Sequence, residues 1–182
     1  MDRDCDRFFV LTGGPGSGKT TLIAALAGAG HATSVEAGRG IIQNQVAIDG
    51  PALPWRDRAL FAELMLSWEM RSHAVAQATP GPVYFDRGVP DVVGYLRLSK
   101  ITVPGHVEQA ARQFRYNPMV FMLPYWPEIF TQDSERKQHH DEARRTHEAM
   151  VETYTGLGYQ LLEVPIAPVE ERLAFVLDHS RL

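Results

Sequence analysis

The sequence predicts an α/β fold in which a parallel β-sheet is buried between helices. Three observations lead there. Short apolar runs alternate with amphipathic segments along the whole chain. The runs are close to continuously hydrophobic, the pattern of strands covered on both faces. Finally, the 182 residues carry no repeat, linker or low-complexity tract, and this length suits one domain, residues 1–182.

Taken in order, residues 7–12 (RFFVLT) read as a buried strand that stops at Gly13-Gly14. Residues 19–26 follow with Leu22, Ile23 and Leu26 at helical spacing, ended by Gly28 and Gly30. Residues 32–36 read as a second strand, with Glu36 at its end, and 39–48 as a short helix. Residues 56–78 carry Leu60, Phe61, Leu64, Trp68 and Val75 as an apolar stripe, with Arg58, Glu63, Glu69 and Arg71 facing outward. Pro80-Gly81-Pro82 closes that helix. Residues 83–86 form a third strand, 90–98 and 106–114 two helices, and 119–123 a fourth strand between prolines. The polar stretch 131–140 has no periodicity and reads as a loop. A helix then runs from Asp141 with His147, Met150, Val151, Tyr154 and Leu157 on one stripe, ending at Gly156-x-Gly158. Residues 159–164 are a fifth strand, and Pro168 takes the first helical position before 169–177.

Composition narrows the function classes. Hydrophobic residues make up 45% and charged residues 22%, so a packed core is expected rather than disorder. A net charge of −4 excludes a broad basic field for nucleic acid, though not a local cluster aimed at one phosphate. A lone cysteine, Cys5, leaves no disulfide framework or cysteine-rich zinc site. His139, His140 and His147 lack the helical spacing of a zinc pair. No stretch reaches the ~20 apolar residues that cross a bilayer, and the first residues do not resemble a signal peptide. The expectation is a cytoplasmic protein with neither nucleic-acid nor membrane partners, a homodimer being left open.

One motif carries specific chemistry. Gly13, Gly14, Pro15, Gly16, Ser17, Gly18, Lys19 and Thr20 satisfy G-x-x-x-x-G-K-[ST] between a strand and a helix. Glycines let successive backbone N–H groups point inward at a phosphate, and the helix N-terminus adds its positive end. Lys19 can neutralise β- and γ-phosphates, and the Thr20 hydroxyl can ligate Mg²⁺; Thr21 extends the motif. The chemistry points to a nucleoside triphosphate and Mg²⁺.

The strand at 83–86 ends in Asp86, placed to hold Mg²⁺ directly or through water. Hydrolytic motors usually put a glutamate next, to polarise water; here Arg87 follows, which is permanently protonated and suits a phosphate or acceptor oxygen. Asp86-Arg87-Gly88-Val89 is not D-x-x-G, and N-K-x-D is absent, which argues against a GTPase. Parallel strands gather their C-terminal ends at a crevice, so Glu36 and Asp86 can both face the transferring phosphate, and spacing does not say which accepts the proton. Glu36 reads equally as a dipole-favoured helix start. Arg136, Lys137, Arg144 and Arg145 lie in or after the polar loop, where a cationic flap would exclude water and stabilise transferring charge. Trp55, beside Pro54, lines an acceptor pocket or staples a surface, whereas Phe61 and Trp68 read as core.

Together with the phosphate motif, EAGR at 36–39, FDRG at 85–88, D-x-x-R at 133–136 and YTGLGY followed by VP toward residue 165 resemble one group of P-loop proteins. These are the ribosylnicotinamide-kinase-like, AAA-type ATP-binding domains, similar to nucleoside and nucleotide kinases. The resemblance covers nearly the entire chain. It implies a three-layer P-loop NTPase fold with strand order 2-3-1-4-5, helices on both faces and a lid at about 131–145. It further implies that residues 13–20 hold ATP, that Glu36 and Asp86 flank Mg²⁺ and acceptor, and that Arg87 meets the acceptor. Arg136 would be the lid arginine, with Arg144 near the nucleotide, and the loop at 166–169 with Pro168 would border adenine. Where the group often has D-G-x-R, this chain has Asp133-Ser134-Glu135-Arg136. The expected function is a small-molecule kinase with its acceptor region in 37–80 and 88–115. A regulatory or partner-coupled ATPase is the alternative, and a nucleotide-binding module without catalysis a third.

Overall fold

The computed structural model describes residues 3–126 and 137–181. Five strands form one parallel sheet in the order β2-β3-β1-β4-β5. They are β1 (Phe8–Gly13), β2 (Ala32–Thr33), β3 (Val83–Asp86), β4 (Met119–Leu123) and β5 (Gln160–Glu163). Among the described residues, seven α-helices connect and follow them: α1 (Lys19–Gly28), α2 (Ala37–Ala47), α3 (Arg58–Gln77), α4 (Val89–Leu98), α5 (Gly105–Gln113), α6 (Lys137–Gly156) and α7 (Val169–His179).

Side chains alternate across a strand, so the central strands supply two cores at once. Phe8, Val10, Val83, Phe85, Val120 and Met122 pack on one face, against residues of α3, α4, α5 and α6. Phe9, Leu11, Tyr84, Phe121 and Leu123 pack on the other, with Leu22 and Leu26 of α1 and Val176 of α7. The three-layer arrangement follows, as expected from the apolar runs. Register then places the site: Leu11 pairs with Asp86, and Gly13 with Leu123, so three strand ends meet where β1 turns into α1.

Several boundaries differ from the sequence reading, each for a local reason. Arg7 is not in β1 but closes a short 3-10 helix, Arg3–Arg7. Its guanidinium hydrogen-bonds the carbonyls of Ala76 and Gln77, at 3.1 and 3.0 Å, and reaches Thr79 and Gly81 as well. A cation thus meets the negative end of α3. β2 covers only 32–33 of the expected 32–36 because the ladder ends at Ser34: its N–H makes the last ladder bond, to Tyr84 O, and its Oγ rather than its carbonyl accepts from Asp86 N–H. Glu36 is therefore not a strand end but the residue that caps α2, which starts at Ala37 instead of 39. Helix α6 already includes 137–140, part of the expected loop. Pro168 is extended, with φ −52° and ψ 154°, and precedes α7 instead of forming its first turn.

Helix α3 departs most. Its buried residues are Phe61, Ala62, Leu66, Glu69, His73 and Ala76, while Leu60 and Val75 are exposed and Leu64 and Trp68 half-buried. Glu69 was expected in solvent and lies in the interior. A polar row reaches inward because polar partners wait there: His73 Nε2 meets Arg115 O at 2.8 Å within a cage of Phe8, Phe85, Phe114 and Tyr116.

Arg7→Met keeps the stem and removes the carbonyl contacts; about 2 kcal/mol should be lost in urea unfolding, with native circular dichroism retained.

Candidate active site

The loop from Gly13 to Lys19 bends over the end of β1. Gly16 and Gly18 have φ of 72° and 76°, in the left-handed region that glycine tolerates without strain. Gly14 is needed for room: a Cβ there would lie 2.4 Å from the backbone oxygen of Ala143 in α6. The chain emerging from the undescribed segment is thus packed directly on the phosphate motif. Ser17 is buried, and its Oγ has no hydrogen-bond partner among the described residues. A buried hydroxyl without a partner is costly. Thr20 and Thr21 are exposed at the start of α1, whereas Pro15 and Gly16 form the tip of the turn.

Lys19 is buried, and its ammonium is hydrogen-bonded to the Asp86 carboxylate. Burial pushes the Lys19 pKa down and neighbouring Arg87 pushes further, while Asp86 and Glu36 pull it back up. Arg87 adopts φ 73°, which is uncommon for a residue with a side chain. What holds it is visible on every side. Its N–H donates to Leu11 O, Nη1 lies 3.1 Å from Asp91, and Nε lies 3.7 Å from Glu36. Burial opposes its charge, but Asp91, Glu36 and Asp86 outweigh that and raise its pKa. Arg39, more exposed, approaches Glu36 at 3.9 Å.

Asp91 organises this corner and had no signal in the sequence. It accepts from Thr12 Oγ, Arg87 Nη1, the Gly88 N–H and Tyr154 Oη, the last at 2.6 Å. One carboxylate thereby joins β1, the turn after β3 and the C-terminal end of α6. Ser34, Glu69 and Arg172 were also missed. Glu69 is 2% exposed and its Oε2 has no hydrogen-bond partner; burial drives its pKa well above the carboxylate range, and Asp91 and Asp86 add to that.

Of the residues singled out in the sequence, Lys19, Glu36, Asp86 and Arg87 share one charged cluster beside the loop. Arg144 and Arg145 lie at the beginning of α6, exposed and directed to Asp141, at 3.4 Å for Arg144 Nη2 and 3.3 Å from Arg145 Nε to the Asp141 carbonyl. Neither makes contact with the cluster. Arg136 lies outside the described residues, as does the rest of 131–136 of the expected lid, whereas 137–145 belong to α6. Trp55 is exposed on a shallow depression with Pro54, Arg58 and Ile101. A larger cavity of about 530 Å³ lies between β2, α2 and α3, with Ser34, Val35, Ile41, Trp68 and Arg71 among its walls.

Comparison with known proteins now has a geometry to be set against. Residues 8–172 match the family described as AAA domain. The chain belongs to that family. This AAA domain resembles several solved P-loop kinases in fold. Thymidylate kinase from Ehrlichia chaffeensis superimposes with a TM-score of 0.63 at 12% identity, over 96% of this chain and 98% of that one. Deoxyadenosine kinase from M. mycoides gives 0.63 at 12%, over 94% and 97%. The NadR protein in complex with NAD and AMP-PNP gives 0.67 at 15%, over 98% of this chain but 50% of NadR, so the AAA domain spans about half that length. No curated protein matches the sequence. Among the described residues, no helix is long and apolar enough to cross a membrane.

The neutral form of Glu69 gives a pH test. A carboxyl whose folded pKa is raised favours folding below its unfolded value, near 4.3, and costs stability as pH rises toward the folded value. Glu69→Gln should therefore match the parent in thermal unfolding near pH 4 and exceed it near pH 8. Equal melting temperatures at both pH values would contradict a buried, proton-holding Glu69.

Proposed function

We propose that this AAA domain is a small-molecule kinase that transfers the γ-phosphate of ATP, with Mg²⁺, to a nucleoside, nucleotide or related metabolite. The observation that carries the reading is the residue after Asp86. A hydrolase would place a water-polarising carboxylate there; Arg87 is held instead in a left-handed turn between Glu36 and Asp91. A fork fixed this way suits an acceptor or a transferring phosphate and cannot take a proton. The kinase folds that it resembles support the reading.

The loop fits a triphosphate, given the partnerless Ser17 hydroxyl, the inward backbone and Lys19. Thr20 and Asp86 would hold Mg²⁺, which when bound spreads negative charge away from the β- and γ-phosphates. Lys19 would exchange its contact with Asp86 for phosphate oxygens, and burial makes that charge more effective than it would be in water. The acceptor hydroxyl oxygen then forms a bond to γ-phosphorus as the bond to the bridging oxygen breaks and ADP leaves. The hydroxyl proton passes to Glu36 or Asp86, both within the cluster. Arg136, in the lid, would complete the charge around the phosphate, and Pro168 would border adenine. The acceptor would be held by 37–80 and 88–115; the cavity beside β2 includes Ser34 and Val35, which lead directly to Glu36.

Exposed Val46, Ile48, Leu60 and Val75 on α2, its C-terminal end and α3 favour a second reading, an ATPase coupled to a protein partner. Mass spectrometry of a metabolite pool incubated with ATP separates the two. A kinase yields a metabolite heavier by one phosphoryl group, and ATP turnover rises with that acceptor alone. Fast release of free phosphate that no metabolite alters would favour the ATPase.

Two substitutions check the assignment. Lys19→Ala should weaken ATP binding about 10- to 100-fold in calorimetry, since contacts to charged groups are worth roughly 1.5–3 kcal/mol. Asp86→Asn should lower transfer by about 100-fold or more with a smaller effect on ATP affinity.

A further inference from the structure

Arg172 of α7 is 3% exposed, and no carboxylate pairs with it among the described residues. Its surroundings are instead those of the phosphate loop. Nη2 donates to the Ser17 carbonyl at 3.0 Å, and Nη1 lies 2.5 Å from where a Cβ on Gly18 would stand. Among the described residues, the half-buried Trp126 ring, at 5.6 Å, is its one aromatic neighbour, and Nε has no hydrogen-bond partner. A buried guanidinium normally has an anion beside it, because taking such a charge out of water costs several kcal/mol. Here burial pulls its pKa down and no acidic group offsets it.

We infer that Arg172 belongs to the phosphate site, as a fixed cation whose counter-charge is the polyphosphate of the bound nucleotide. The inference rests on the triphosphate reading of the loop and adds a residue to it. Two effects act together. The positive charge sits immediately behind Ser17 and Gly18, in a low-dielectric setting where screening is weak. Its hydrogen bond also polarises the peptide between them: a carbonyl that accepts from a cation makes the N–H of the same peptide, that of Gly18, a stronger donor. Arg172 is therefore a positioning and electrostatic residue, acting through the loop.

A purely structural arginine and this one differ in a measurable way. Removing a structural arginine lowers stability and ligand affinity together. Removing an uncompensated cation relieves the free protein while weakening the bound state. Arg172→Gln and Arg172→Lys are compared with the parent by calorimetry with Mg-ATP and with inorganic pyrophosphate, and by thermal unfolding without ligand. Arg172→Gln should bind both ligands about tenfold or more weakly, with an unliganded melting temperature equal to or above that of the parent. Arg172→Lys, which keeps the charge, should recover most of the affinity. If Arg172→Gln does not fold, Arg172→Met, which keeps the packed stem, takes its place. Unchanged affinity in the neutral variant, or parallel losses of affinity and stability in both variants, would overturn the inference. A parent protein that binds neither Mg-ATP nor pyrophosphate would instead overturn the triphosphate reading, and this inference with it.

Discussion

Charge buried at the C-terminal ends of β1 and β3 has to be balanced, and much of the site's architecture follows from that requirement. Lys19 is matched by Asp86, and Arg87 by Glu36 and Asp91. These groups come from α1, the approach to α2, the end of β3 and α4, so the pairs also tie four segments together. Glu69 adds little to the charge to be balanced, since burial first, and Asp91 and Asp86 after it, push its pKa well above the carboxylate range. The result is a polar corner in an otherwise apolar sheet, whose geometry is over-determined by several independent partners.

The backbone strain at Arg87 fits within this scheme. A left-handed conformation costs a residue with a side chain on the order of 1 kcal/mol or more. It persists because Leu11 takes the N–H while two carboxylates hold the fork. Asp91 connects this corner to α6 through Tyr154, and α6 returns to the loop where Ala143 packs on Gly14. The phosphate loop and the arginine beside it are thus held by the same helix at two points.

The fold was legible because each of its signals is local. β1, β3 and β4 are continuous apolar runs, and the loop between β1 and α1 is a motif with few alternatives. Lys19 was legible from that motif, and Glu36, Asp86 and Arg87 from their places at or just after expected strand ends, which parallel topology gathers even when β2 proves shorter than expected. The inward face of α3 was not, because the apolar-stripe rule assigns Glu69 to solvent, whereas the helix turns it into the interior, where burial pushes its pKa up. Asp91 reads as an ordinary first-turn acidic residue until Thr12 and Tyr154 are brought to it from distant parts of the chain. Arg172, in a Glu-Glu-Arg run, looks like one more charge on a surface helix. Its role is set by packing against a loop some 150 residues earlier, a distance over which periodicity says nothing.

The place of β1 in the sheet bears on how the protein is made. Its partners are Val83 and Phe121 onward, so the central strand waits about 75 residues for one neighbour and about 110 for the other. Until both are synthesised, Phe8-Phe9-Val10-Leu11 is an unpaired apolar strand of the kind that nucleates aggregation. The residues just before it are dense in charge, with Asp2, Arg3, Asp4, Asp6 and Arg7. Such charges act as gatekeepers, keeping the strand in solution until its neighbours arrive. Arg7 then takes up its permanent partners at the end of α3, so one residue protects the nascent strand and later fastens the finished sheet.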